Sequence, residues 1–286
     1  PSLDVPLLSP INRTELQSAL AGNISLMAKL MREWDLDAQI LHSQGLTHVK
    51  RLPHQQYLRC QMLGRALEQA SKRSEKARFL PQTFAAASFL LALTTPEEIA
   101  ALPKKLREQE QLYPRQLTDR IPLDTHRYNS EKLFLNKPQL AFVAHYSHPA
   151  TLQALENQGI LLYRMPNVAK ISDITTEIMT IGSLINRPLE AELLQLFIDA
   201  AFLAIDNRMA ALNLHIAKND TSPKILFLNY HRAYSIPTQK TLTGQLLKRL
   251  GIPDLMACTS KEQQQDWAIP IDKETIVNLN PDCLII

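Results

Sequence analysis

Leu16, Leu20, Ile24, Met27, Met31 and Trp34 recur at helical spacing, with polar residues filling most of the gaps. The spacing predicts a helix that opens at Ser9-Pro10, with Asn12 and Glu15 placed like a capping box. Gly45 breaks the pattern. A second helix follows Pro53, with Tyr57, Leu58, Met62, Ala66, Leu67 and Ala70 on one face. Residues 1–75 therefore form an all-helical extension. Two roles suit it: a cap packed on the main body, or a docking module for another protein.

After residue 76 short apolar runs alternate with helical segments. Ala77 to Leu80 reads as extended, Thr83 to Leu93 as a helix, Ile121 to Leu123 as a short strand and Ser130 to Leu135 as a helix. Gln139 to Ala144 is apolar on both faces, the mark of a strand buried on both sides. Thr151 to Gln158 is a helix closed by Gly159, and Ile160 to Tyr163 is the next strand. Such alternation implies a parallel sheet with helices on both faces.

A long helical stretch follows, Ser172 to about Ala217, broken or bent near Asn186-Arg187-Pro188 because proline removes a helical donor. Its second half would run about 40 Å at 1.5 Å per residue. A second alternating unit then begins: strand Lys224 to Leu228, helix Lys240 to Leu250, helix Asp272 to Leu279, and a buried strand in Asn280 to Ile286. The expected fold class is α/β. Two doubly wound lobes with parallel sheets, residues 76–170 and 219–286, are joined by one long helix at 171–218. The second lobe ends on a strand without its covering helix and is expected to be incomplete.

Composition narrows the function. Hydrophobic residues make up 45% and charged residues 21%, enough apolar material for a sizeable core. No apolar run approaches the roughly 20 residues of a membrane helix. The net charge of +3 is too small to imply nucleic acid. The seven glycines are scattered singly, which excludes a P-loop or a dinucleotide fingerprint. Cys60, Cys258 and Cys283 show no zinc spacing. No enzyme motif is present, and the chain reads as a non-enzyme with no cofactor and no metal site.

Two stretches share one grammar: a helix with an early glutamate, then proline, then a buried strand. The first is Ser130-Glu131 through Pro138 to Val143, and the second is Asp272-Lys273-Glu274 through Pro281 to Ile286. Two lobes of this kind on one long helix resemble the periplasmic solute-binding proteins that serve ABC importers of vitamin B12, ferric siderophores and haem. The resemblance covers residues 77–286. It implies that the loop opening at Thr83 faces the ligand cleft. It also implies that Glu131 and Glu274, one on each lobe, dock the importer's membrane subunits. Both glutamates equally suit the electrostatics of a helix's first turn.

In such a fold the cleft lies at the carboxyl ends of the strands. Two loops there carry ligand-capable side chains: His145, Tyr146 and His148 after the strand ending at Ala144, and Tyr230, His231, Arg232 and Tyr234 after the strand ending at Leu228. Tyrosine and imidazole suit iron, and arginine suits carboxylates of a siderophore or haem. Two functions follow. One is a periplasmic protein that captures an iron–siderophore, haem or cobalamin-type ligand for an ABC importer. The alternative is a structural subunit of a cell-envelope complex, such as the outer-membrane core of a secretion system. That subunit would reuse the fold, meet its partner subunits through residues 1–75 and associate with the outer membrane.

Overall fold

The computed structural model describes residues 11–69, 77–110, 112–121, 123–125, 131–219, 224–231, 233–251 and 267–286. The side chains of 68, 69, 213–219 and 231 are not described. Ser9-Pro10, Ala70, Arg232 and Cys258 lie outside the described residues.

The extension folds as three helices: α1 (Arg13–Leu20), α2 (Ile24–Ser43) and α3 (His54–Gln69). Asn12 caps α1 by accepting from the amides of Thr14 and Glu15. The expected first helix is two, because Gly22 turns the chain at φ +87° and Asn23 opens α2. Gly45, also at positive φ, follows the end of α2 as expected. The apolar face of α3 differs from its expected one. Cys60 and Leu63 are buried, whereas Leu58 and Met62 are exposed. Burial pushes the Cys60 thiol up to about 11.

The first lobe is a parallel sheet in the order β1 (Phe79–Pro81), β4 (Leu140–Ala144), β5 (Leu161–Met165). A second parallel pair, β2 (Leu102–Pro103) with β3 (Asp124–Thr125), carries the strand expected at 121–123 slightly later in the chain. It adjoins the sheet through the Ala100 amide, which donates to the Phe79 carbonyl at 2.8 Å. Alternate residues of β4 face opposite cores. Phe142 joins the core shared with α4 (Phe84–Leu93), while Ala141 and Val143 pack with Leu152 and Leu155 of α7 (Pro149–Glu156). Helices thus cover both faces, as the alternation implied. Between β2 and β3, the short helix α5 (Arg115–Thr118) is held by Arg107, which donates to Asp124 at 2.7 Å and to the carbonyls of Thr118 and Ile121.

The linking stretch is broken near Pro188, as the proline indicated, into two helices, α8 (Ile171–Leu184) and α9 (Pro188–Asn219). They turn at Asn186 (φ +57°) and pack closely, so that a Cβ on Gly182 would lie 2.3 Å from the Ala191 Cβ. The 32 residues of α9 span about 48 Å at 1.5 Å per residue. The extension lies against this helix. The rings of Trp34 and Phe197 sit 5.3 Å apart, and Met31, Leu63, Leu90, Phe142 and Phe197 belong to one core. In this structure residues 11–69 are a cap continuous with the first lobe.

The second lobe pairs β6 (Ile225–Phe227) with β10 (Cys283–Ile285) in parallel. A separate antiparallel sheet, unforeseen in the sequence, runs β7 (Asn229–His231), β8 (Ala233–Pro237), β9 (Ala268–Pro270). A small core of Leu226, Leu228, Ile236 and Ile271 joins the two. The last strand is exposed rather than buried: Cys283, Leu284 and Ile285 all face outward among the described residues.

Candidate functional site

The strand ends of the first lobe are organised by a residue that the sequence reading passed over. Gln82, just after β1, donates its backbone N–H to the Phe142 carbonyl at 2.9 Å. Its side-chain Oε1 accepts from the Ala144 amide at 2.8 Å and from the Ser147 hydroxyl. This side chain clamps the turn that carries His145 and Tyr146. A polar residue between a buried strand and a helix cap was the available signal. Thr83 itself caps α4, its Oγ1 accepting from the Ala86 amide at 3.1 Å, so its oxygen serves the helix.

On that turn the rings of His145 and Tyr146 stack edge to face at 4.9 Å. Tyr146 is 76% exposed. His148 is the N-cap of α7, and its Nδ1 accepts from the Ala150 amide at 3.2 Å. That bond occupies Nδ1 and leaves Nε2 as the nitrogen available to a ligand.

The 229–234 segment is a hairpin, not a loop at a strand end. Tyr230 and Tyr234 are cross-strand partners with ring centroids 5.1 Å apart. The pair is the usual unit of antiparallel stability, and β-favouring aromatics explain why the segment continues as sheet. Tyr230 is 64% exposed, while Tyr234 packs on the lobe's small core. His231 lies on β7 opposite Ala233. Arg232 is outside the described residues.

Glu131 begins α6 (Glu131–Leu135), and Glu274 lies in the first turn of α11 (Lys273–Leu279), which Asp272 caps. Both glutamates are exposed, and neither makes an ion pair among the described residues. No group of three or more His, Cys, Asp or Glu side chains among the described residues could hold a metal ion. No described helix is long and apolar enough to cross a membrane.

The lobes are tied through α9. Arg249, at the end of α10 (Leu242–Arg249), donates to both carboxylate oxygens of Asp206 at 2.7 and 2.6 Å. Its guanidinium also lies 4.7 Å from the centre of the Phe202 ring. Within the second lobe α10 sits so close to the preceding loop that a Cβ on Gly244 would be 2.0 Å from the Thr238 carbonyl oxygen.

Comparison with known proteins gives the family. The family model described as "Periplasmic binding protein" matches residues 83–286, both lobes and the helix between them. No match was found among curated proteins. Among solved structures, a periplasmic haem-binding protein from Pseudomonas aeruginosa is 16% identical, with a TM-score of 0.54 over 72% of this chain and 70% of that one. A possible iron-binding (periplasmic solute-binding) protein from Staphylococcus epidermidis is also 16% identical, with a TM-score of 0.53 over 73% and 77%. The Fe3+–Desferal-bound siderophore-binding protein FhuD from Vibrio cholerae is 14% identical, with a TM-score of 0.51 over 73% and 77%. At these identities the likeness establishes a shared fold. With a family match that spans well over half its length, the chain belongs to the periplasmic binding protein family.

Proposed function

We propose that this protein captures an iron–siderophore, haem or cobalamin-type ligand between its two lobes and delivers it to the membrane subunits of an ABC importer. The observation that carries the reading is the family match across both lobes and α9. Similar folds in a haem-binding and a siderophore-binding protein support the ligand class. Exposed aromatic side chains at the first-lobe strand ends and on the second-lobe hairpin support it further. Tyr146 and Tyr230 are the main ligand contacts, His145, His231 and Arg232 supply further ones, and His148 contributes through Nε2 alone. Family membership supports a periplasmic location. Capture needs geometry and no bond chemistry, which suits a chain without a catalytic motif.

Titration of the purified protein with haemin, ferric desferrioxamine and cyanocobalamin, followed by absorbance and calorimetry, tests this. One of the three is expected to bind saturably, with affinity lowered at least tenfold by Tyr230→Ala. Absence of binding by all three, or full affinity in both Tyr146→Ala and Tyr230→Ala, would overturn the cleft assignment.

A further inference from the structure

The extension carries a groove whose walls, apart from Leu193, lie outside the family match. Between α2 and the start of α3 is a cavity of about 630 Å³ with Leu36, Leu52 and Pro53 on its walls. Beside it is a second, of about 250 Å³, with Ile24, Met31 and Leu193 on its walls. Arg32 and Tyr57 line both, so the two meet there. The larger falls within the range of about 300–1,000 Å³ common for small-molecule sites, and apolar walls with a few convergent polar groups are the usual composition.

The charges of the groove are unequal in a way that specifies an occupant. The neighbouring cations of the extension have carboxylates: Arg51 donates to Asp35 at 2.9 and 2.7 Å, Arg59 to Glu192 at 2.6 and 2.8 Å, and Lys29 to Glu15 at 2.5 Å. Asp35 lines the larger cavity, but its oxygens already accept from Arg51 and from Gln39 at 2.9 Å. Arg32, at the junction, and Arg65, on the wall of the smaller cavity, have no ion pair or hydrogen bond among the described residues. The Tyr57 hydroxyl is likewise without a hydrogen-bond partner there. A trough with apolar wall residues, with Arg32 and the Tyr57 hydroxyl at its waist and Arg65 on one wall all without partners among the described residues, complements a molecule with an apolar body and an acidic group.

We propose that the α2–α3 groove binds a small amphipathic anion. Its apolar body lies along Leu36, Leu52 and Met31, and its acidic group meets Arg32 and the Tyr57 hydroxyl where the cavities join. The site is separate from the inter-lobe cleft.

Calorimetric titration with dodecanoate below its micellar concentration tests the proposal. Butyrate serves as the headgroup alone, and dodecyltrimethylammonium as a chain of equal length with the opposite charge. Saturable one-to-one binding of dodecanoate is expected, weakened at least tenfold by Arg32→Glu and several-fold by Arg65→Glu, with little binding of the other two. Both arginines are exposed, so the variants should keep the parent melting temperature. Tyr230→Ala in the second lobe should leave dodecanoate binding unchanged, which separates this site from the cleft. Lack of saturable dodecanoate binding, equal binding of the cationic chain, or full affinity in Arg32→Glu would overturn the proposal.

Discussion

Glu98 divides its buried carboxylate between two elements. One oxygen accepts from Arg187 at 2.6 Å, and the other from the Thr95 amide at 2.9 Å, closing the turn after α4. The pair joins the turn after α4 to the α8–α9 turn, and both side chains are largely shielded from water. Removing one partner strands the other charge. Arg187→Ala is therefore expected to cost about 3–5 kcal/mol in urea unfolding, whereas Glu98→Gln/Arg187→Met, which removes both charges, should recover part of that loss. Glu177 is the opposite case. It is 2% exposed, one oxygen accepts from the Tyr163 hydroxyl at 3.2 Å, and the other has no partner among the described residues. Burial raises its carboxyl above the ordinary range, against the smaller lowering effect of the tyrosine bond, and pushes Tyr163 up to about 12. With the folded value above the unfolded one, its contribution to stability is fully present below about pH 4, near the unfolded carboxyl value. It is lost as pH rises through the folded value. Glu177→Gln, which keeps an acceptor for Tyr163, should melt higher than the parent at pH 7. The gain should shrink at pH 4, as scanning calorimetry at the two pH values would show.

At the scale of elements, the extension is fastened to α9 by more than apolar contact. Asn207 of α9 is buried, and its side chain donates to the Lys50 carbonyl at 2.8 Å and accepts from the Lys50 amide at 3.0 Å. The Asp37 carboxylate accepts from Arg208 at 2.7 Å one residue further on. Asn207→Ala leaves two backbone groups unmatched and should cost about 1–3 kcal/mol. Trp34→Ala, which empties the contact with Phe197, should cost about 3–5 kcal/mol. Because the helices share one core with the first lobe, both variants should lower a single cooperative transition. An early, separate melting step for residues 11–69 would show that the cap folds on its own.

The same elements show what was legible beforehand. The caps at Asn12, Thr83 and Asp272 depend on residues within three positions, and all three helices begin where these residues indicate. The double-sided burial of β4 was written in an unbroken apolar run. The face of α3 was not, because Cys60 and Leu63 are chosen by the position of α9 and Glu192, more than a hundred residues away. The hairpin at Tyr230 was hidden for a related reason. Its partner strand β9 is contributed by residues 268–270, and the pairing outweighs the expectation that a parallel strand ends in a loop. For the candidate site the sequence offers residue types alone, and Gln82 and the capping nitrogen of His148 emerge only once hydrogen bonds are traced.

At the scale of the whole molecule, delivery to an importer requires that both lobes present contacts at a fixed spacing. The α9 helix supplies the spacing, and the Arg249–Asp206 pair with the Phe202 ring holds α10 against it. Glu131 and Glu274 each occupy an exposed first turn, one per lobe. Two explanations for them make different predictions. If they act only on their helix dipoles, each is worth about 0.3–1 kcal/mol, and charge reversal would cost a little stability and leave delivery intact. If they dock the importer, Glu131→Lys and Glu274→Lys should each reduce ligand-dependent stimulation of the importer's ATPase in proteoliposomes. The double variant should nearly abolish it, and ligand affinity should match the parent because neither residue lies on the strand-end turns. On the proposed function the second outcome is expected. The asymmetric result would also be informative: loss at Glu131 with none at Glu274 would show that the first lobe, braced by the helical cap, makes the contact without help from the second.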